Sequence, residues 1–321
     1  MRKFGGLLRF FVTICAFLLA AQAVAKDKNF ILPIAEIEHK LRYEPFKVRG
    51  SVVGARFDND FTKRATLQFE DGTRFKVKWK RAEKDGDAPN NSPRYEIAAY
   101  EFQKLFLDPE NYCVPPTIGR SMPLEEYRQR EKDVKPTFSK TSSVFFVLQY
   151  WLKDITSINV YDKKRFKTDL TYAKHLGNTN IFTYLIKHQD SNTGNFLVSI
   201  YGSNMRVFSV DNGLAFGTLK SNRGTYWKDL RLKRLPHETI ERLRRLKTED
   251  IKKTLGVVAQ FEIKEGQLVP AEPGENLDKG KGVRQKDSVI QFGLTEREIK
   301  GVLARLENLL KRVDSGKIKT F

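Results

Sequence analysis

Residues 64–80 read RATLQFEDGTRFKVKWK, two alternating runs that meet at Asp71-Gly72. Asp-Gly between alternating runs is the strongest short-range signal for a β-hairpin, and it commits this part of the chain to an antiparallel sheet. Side chains alternate along a strand. Phe75, Val77 and Trp79 therefore share one face and Lys76, Lys78 and Lys80 the other. One arm offers a core face and a face of ammonium groups.

The flanking segments extend this reading. FKVRGSVVGARFD is strand material, and residues 28–43 approach it through a short helix, IAEIEHKLRY. The stretch AEKDGDAPNNSP is a loop carrying an Asn-x-Ser sequon at Asn90. From Pro93 onward, Ile97, Tyr100 or Glu101, Lys104 and Leu105 follow helical steps until YCVPPTIG breaks them. Residues 120–142 are polar and expected as an exposed loop with a helical piece. SSVFFVLQYWL is apolar and short enough to be a buried strand.

Residues 154–187 are expected to be largely helical, followed by strands FLVSIY and MRVFSV around the turn GSN. LPHETIERLRRL and TEDIKKTLG read as helices, the second closed by Gly256. Residues 260–287 lack periodicity and are expected as a long mobile loop. In the last helix Thr295 and Glu298 have capping-box spacing. Ile299, Val302, Leu303, Leu306, Leu309, Leu310 and Val313 then make one apolar stripe. Strands come first and helices dominate later, the order of a two-lobed α+β protein.

At 321 residues, with 40% hydrophobic and 12% aromatic content, the chain can bury a substantial core. Its beginning has the form of a secretory signal peptide: a basic stretch with Arg2, Lys3 and Arg9, an apolar run, and AQAVA with cleavage expected after Ala25. Export to a periplasm or the exterior follows. Of two cysteines, Cys15 leaves with that peptide, so Cys113 has no internal disulfide partner. The four histidines, at 39, 175, 188 and 237, show no metal-ligand spacing. A formal charge of +19 favours anionic partners or surfaces, but no basic block marks a nucleic-acid arm.

Phosphoryl transfer needs a lysine for phosphates, a glutamate to hold it, a carboxylate for the acceptor proton, and Asn and Asp oxygens for metal. Lys78, Glu96, Asp190, Asn195 and Asp211 occur in that order. Singly, each has an ordinary reading: Lys78 a solvated strand residue, Glu96 a first-turn acid, Asp211-Asn212-Gly213 a turn. Jointly they are more specific, because one hairpin returns Asp211 beside the loop HQDSNTGN.

The motifs FKVKWK, RYEIAAYEFQKLF with VPPTIG, HQDSNTGNFLV and SVDNGLAFG together resemble the atypical kinase superfamily. That superfamily includes the type II phosphatidylinositol 4-kinases, the HipA-type kinases and the Golgi casein-kinase type. The resemblance covers roughly residues 78–217. It implies a protein-kinase-like fold, with a small antiparallel-sheet lobe over 26–149 and a mostly helical lobe over 150–321. By position, it implies Lys78 on the phosphates of ATP, Glu96 paired with it, Asp190 as catalytic base, and Asn195 and Asp211 on Mg²⁺ or Mn²⁺. Residues 148–152, Gln149 and Trp151 included, become the hinge that meets adenine. The segment GSVVGAR lacks a full G-x-G-x-x-G. The acceptor expected is a protein hydroxyl or a small molecule. A non-catalytic binding module and a nucleotidyl transferase are the alternatives on the same fold.

Overall fold

A computed structural model describes residues 29–54, 62–89, 92–200, 205–217 and 227–321. The expected signal peptide, the sequon at Asn90, the last residues of GSVVGAR and the turn GSN lie outside these residues. The fold is mixed α+β, with eight α-helices among the described residues.

Helix α1 (Ile34–Tyr43) precedes strands β1 (Phe46–Gly54), β2 (Thr62–Phe69) and β3 (Arg74–Arg81). Helix α2 (Pro93–Gln103), strand β4 (Thr117–Pro123), helix α3 (Leu124–Arg128) and strand β5 (Ser143–Tyr150) follow. The strands form one antiparallel sheet in the order β1-β2-β3-β5-β4. At the β2–β3 turn Gly72 takes φ 85°, its N–H donating to the Phe69 carbonyl, a left-handed position that glycine fills without strain. Trp79 stacks on Phe146 with ring centroids 4.1 Å apart, and its indole N–H donates to the Tyr127 hydroxyl at 3.0 Å. β5 lies inside the sheet and is buried along its whole length, which its unbroken apolar run requires.

The second part of the chain holds β6 (Ile155–Thr156), α4 (Lys163–Thr168), α5 (Leu170–Ile186), β7 (Phe196–Ser199) and β8 (Val207–Ser209). It continues through β9 (Arg234–Leu235), α6 (His237–Arg245) and α7 (Thr248–Gly256). Strands β10 (Ala259–Lys264), β11 (Gln267–Ala271), β12 (Val283–Lys286) and β13 (Val289–Phe292) come next, then α8 (Glu296–Asp314) and β14 (Lys319–Thr320). β6, β7 and β8 form a small antiparallel sheet.

Three expectations are corrected. Residues 260–287, expected as a long loop, contribute β10, β11 and β12 to an antiparallel sheet ordered β11-β10-β13-β12. The strands are too short to print a clear alternation, and Pro270, which reads as a breaker, sits on the edge strand β11 where no ladder N–H is needed. Only 272–282 lack regular structure within that stretch. Residues 120–142 are not simply an exposed loop: β4 runs to Pro123 against β5, and Leu124, Tyr127, Val134 and Phe138 are buried. Residues 154–187 are largely helical as expected, through α4 and α5, and only the start is corrected: helix begins at Lys163, after β6 has paired with β7.

The capping box of α8 does two jobs. Thr295 Oγ1 accepts from the Glu298 N–H, and the Glu298 carboxylate accepts from the Thr295 N–H at 2.8 Å. That carboxylate also takes both terminal nitrogens of Arg94, at 2.7 and 3.0 Å, and the Tyr95 hydroxyl. Burial opposes charge on Glu298, but Arg94 and Tyr95 outweigh it and hold the carboxyl below its ordinary range. Arg94 and Tyr95 open α2, so the start of that helix is tied to the start of α8. Removing Glu298 leaves Arg94 only Asp87 at 2.7 Å as a carboxylate partner, takes the acceptor from the Tyr95 hydroxyl and undoes the cap of α8. Glu298→Ala is therefore expected to cost about 3 kcal/mol, read from urea unfolding midpoints; a loss below about 1 kcal/mol would show the brace to be incidental.

Candidate functional site

On the ammonium face of β3, Lys76 is exposed, but Lys78 and Lys80 are only 7% exposed and both meet Glu96 of α2. A buried lysine must find carboxylates. Lys78 Nζ lies 2.7 Å from Glu96 Oε1 and 3.1 Å from Asp211 Oδ1. Burial works against the charged amine, but Asp211 and Glu96 overcome it and raise the Lys78 pKa above its ordinary value. The other Glu96 oxygen accepts the Asn212 backbone N–H at 3.1 Å, fixing the turn that carries Asp211.

Asp211 reaches this place through the β7–β8 hairpin. Phe196 pairs with Ser209, and the next rung is the Val210 N–H donating to the Asn195 carbonyl at 2.9 Å. Asp211 therefore stands one residue beyond a rung whose other member is Asn195. Its backbone is left-handed, φ 58° and ψ 52°, a conformation that costs energy for a residue with a Cβ but is tolerated best by Asp and Asn. Gly213 follows, where a Cβ would lie 3.4 Å from both Glu96 Oε1 and Lys80 Nζ.

The loop after α5 begins with Lys187 in the left-handed region, which ends the helix. Asn195 Nδ2 donates to the Asp190 carbonyl at 2.7 Å and to Asp190 Oδ2 at 3.1 Å. Asn192 Nδ2 donates to Asp190 Oδ1 at 3.0 Å. The Asp190 carboxylate is thus oriented through both oxygens. Because the Asn195 amide nitrogen faces Asp190, its carbonyl oxygen occupies the opposite edge of the amide. Asn192 went unremarked in the sequence; its offset of two from Asp190 was the available signal.

Lys78 and Asp211 line a cleft of about 260 Å³. Gln149, the cross-strand partner of Lys78, lines it as well, with Trp151, Leu152, Leu197, Val210 and Gly194. The expectation that backbone groups of 148–152 meet a ligand needs narrowing. The N–H groups of Tyr150 and Trp151 already donate to Pro116 and Lys76 carbonyls, both at 2.9 Å, and the Gln149 amide nitrogen donates to Thr117 Oγ1 at 2.8 Å. Gln149 and Trp151 line the cleft nonetheless.

Lys78, Glu96 and Asp211 are in direct contact, Asn195 is tied to Asp211 through Val210, and Asp190 is held by Asn195. Among the described residues no group of three or more His, Cys, Asp or Glu side chains could hold a metal. Asp211 and Asn195 carry hard oxygens of the kind Mg²⁺ takes, an ion that keeps waters and substrate phosphates for its remaining positions; Asp211 lines the cleft, whereas Asn195 is fully buried behind it. Such an arrangement can neutralise phosphates from one side and withdraw a proton from the other. Comparison with known proteins assigns no relationship: no family model matches the chain, and no curated protein matches it.

His188 is buried beneath this loop, with Nε2 3.4 Å from the Val210 carbonyl, and burial lowers its pKa despite that carbonyl and the nearby carboxylates. Burial, with Arg206 and Lys174, pushes His175 down to about 3. His175 stays neutral in the folded chain below pH 6.5, where the unfolded chain takes up protons. Its contribution is intact above about pH 6.5 and declines towards about pH 3, by up to roughly 1.4 kcal/mol per pH unit. Urea midpoints measured between about pH 7.5 and 5 should fall less steeply for His175→Gln than for wild type; parallel slopes would contradict the neutral buried state.

Proposed function

We propose that this chain is an ATP-dependent phosphotransferase of the atypical kinase kind, using Mg²⁺ or Mn²⁺ and transferring to a protein hydroxyl. The observation that carries the reading is the junction of Lys78 on β3, Glu96 on α2 and Asp211 beyond the β7–β8 hairpin, next to a loop in which Asn195 holds Asp190. Ion pairs on a strand are common. A buried lysine joining a helix to a turn that faces a second, oriented carboxylate is not what sheet packing alone demands. In the proposed organisation residues 26–149 form the smaller lobe and 150–321 the larger, the cleft lying between them. The leader-like residues 1–25 support export of the enzyme.

ATP would supply the phosphoryl group, and a divalent ion would offset the charge gathering between its phosphates. Lys78 would hold phosphate oxygens while Glu96 keeps the amine in place. Asp211 and the Asn195 carbonyl would hold the ion. Gln149, Trp151 and Leu152 would enclose the base. Asp190 would accept the hydroxyl proton as that oxygen bonds to the γ-phosphorus. The bridging oxygen would leave with its electron pair on ADP. Asn192 and Asn195 keep Asp190 aimed, so little reorganisation remains at the moment of transfer.

Asp190→Ala should reduce transfer by about 10²–10⁴-fold while leaving the unfolding midpoint near wild type, since general-base assistance contributes on that scale. Asp211→Asn, or chelation of the metal, should abolish transfer. The measurement is phosphate incorporation from labelled ATP into protein acceptors. Wild-type rates in both variants would refute the assignment. Undiminished binding of Mg-ATP without any transfer would instead favour the non-catalytic module.

A further inference from the structure

Lys80 is the buried group whose presence the proposed chemistry leaves unexplained. It lies two residues from Lys78 on the same face of β3, with 9% of its side chain exposed. Its Nζ is 3.8 Å from Glu96 Oε1 and 4.0 Å from Asp211 Oδ1. Among the described residues these carboxylates are its ion-pair partners, and Lys78 shares both. Two ammonium groups and two carboxylates thus meet in one cluster.

The members differ in what they can reach. Glu96 is 1% exposed at its side chain, whereas Asp211 is 19% exposed and lines the cleft. An ion or ligand entering the cleft meets Asp211, not Glu96. Once the Asp211 carboxylate turns to a divalent cation, Glu96 alone faces two lysines. Among these four groups one positive charge is then left over, beside Asp211. With Lys78 alone, Glu96 would cancel it and no net charge would face an anion.

We infer that Lys80 is a second phosphate-directed cation: it keeps Glu96 neutralised when Lys78 swings to phosphate oxygens, and so makes the site selective for polyphosphates over monophosphates. The inference rests on the phosphotransferase reading for the identity of the ligand.

Binding calorimetry without turnover tests it, using ATP and AMP with Mg²⁺ on wild type, Lys80→Met and Lys80→Arg. Lys80→Met is expected to weaken ATP binding roughly tenfold or more while leaving AMP within about twofold, and Lys80→Arg to restore most of the ATP affinity. Equal ATP affinities in wild type and Lys80→Met, or equal losses for ATP and AMP, would overturn the role. Should Lys80→Met lack a cooperative melt, Lys80→Gln serves in its place. The wild type must also prefer ATP over AMP by more than about tenfold, so absence of that preference overturns the inference without any variant. Failure of wild type to bind either nucleotide would instead overturn the phosphotransferase reading itself.

Discussion

The ion pairs of Lys78 with Glu96 and Asp211 are the constraint around which the molecule is arranged. An amine at 7% exposure cannot be left alone in the interior, and a carboxylate at 1% cannot either. Each must be delivered to the other by a different element: a strand, a helix and a turn separated by 18 and 133 residues along the chain. Desolvating such charges offsets much of what their attraction returns, so the set adds little to stability. What it does supply is position. A displacement of α2 or of the Asp211 turn would strand a charge, so the geometry is held tightly even where the backbone at Asp211 is unfavourable.

Two supports behind the site maintain this. The Arg94–Glu298 pair anchors the first turn of α2, the turn that carries Glu96. The sheet of β10–β13 packs behind β5, where Phe145 stacks on Phe292 at 4.2 Å and meets Phe261 edge-on at 5.3 Å. The Ser121 hydroxyl adds a hydrogen bond to the Leu268 carbonyl. A helix resting on this double layer has little freedom to rotate, and Lys78 inherits a fixed partner.

Much of this was legible from sequence because it is local. Asp71-Gly72 announces its hairpin, Pro93 opens α2, and Thr295 with Glu298 announces the α8 cap. The grouping of Lys78, Glu96 and Asp211 was legible through residue types in order. What escaped depended on packing over long separations. The strands within 260–287 have polar outer faces and turns of two residues, Glu265-Gly266 and Asp287-Ser288, so their period never accumulates. In sequence Lys80 is one of three lysines on a face, and nothing in β3 itself says that Glu96 of α2 will meet its amine. Glu298 looked like a cap alone, since its second partner lies in another helix.

That second partner is 204 residues away from Glu298 in the chain. During synthesis α2 is made early, yet its anchoring carboxylate is added only some 204 residues later. Until then the helix bearing Glu96 lacks this clamp at its first turn. Both the five-stranded sheet and the β10–β13 sheet are made before the clamp, so the brace can close only onto layers already synthesised.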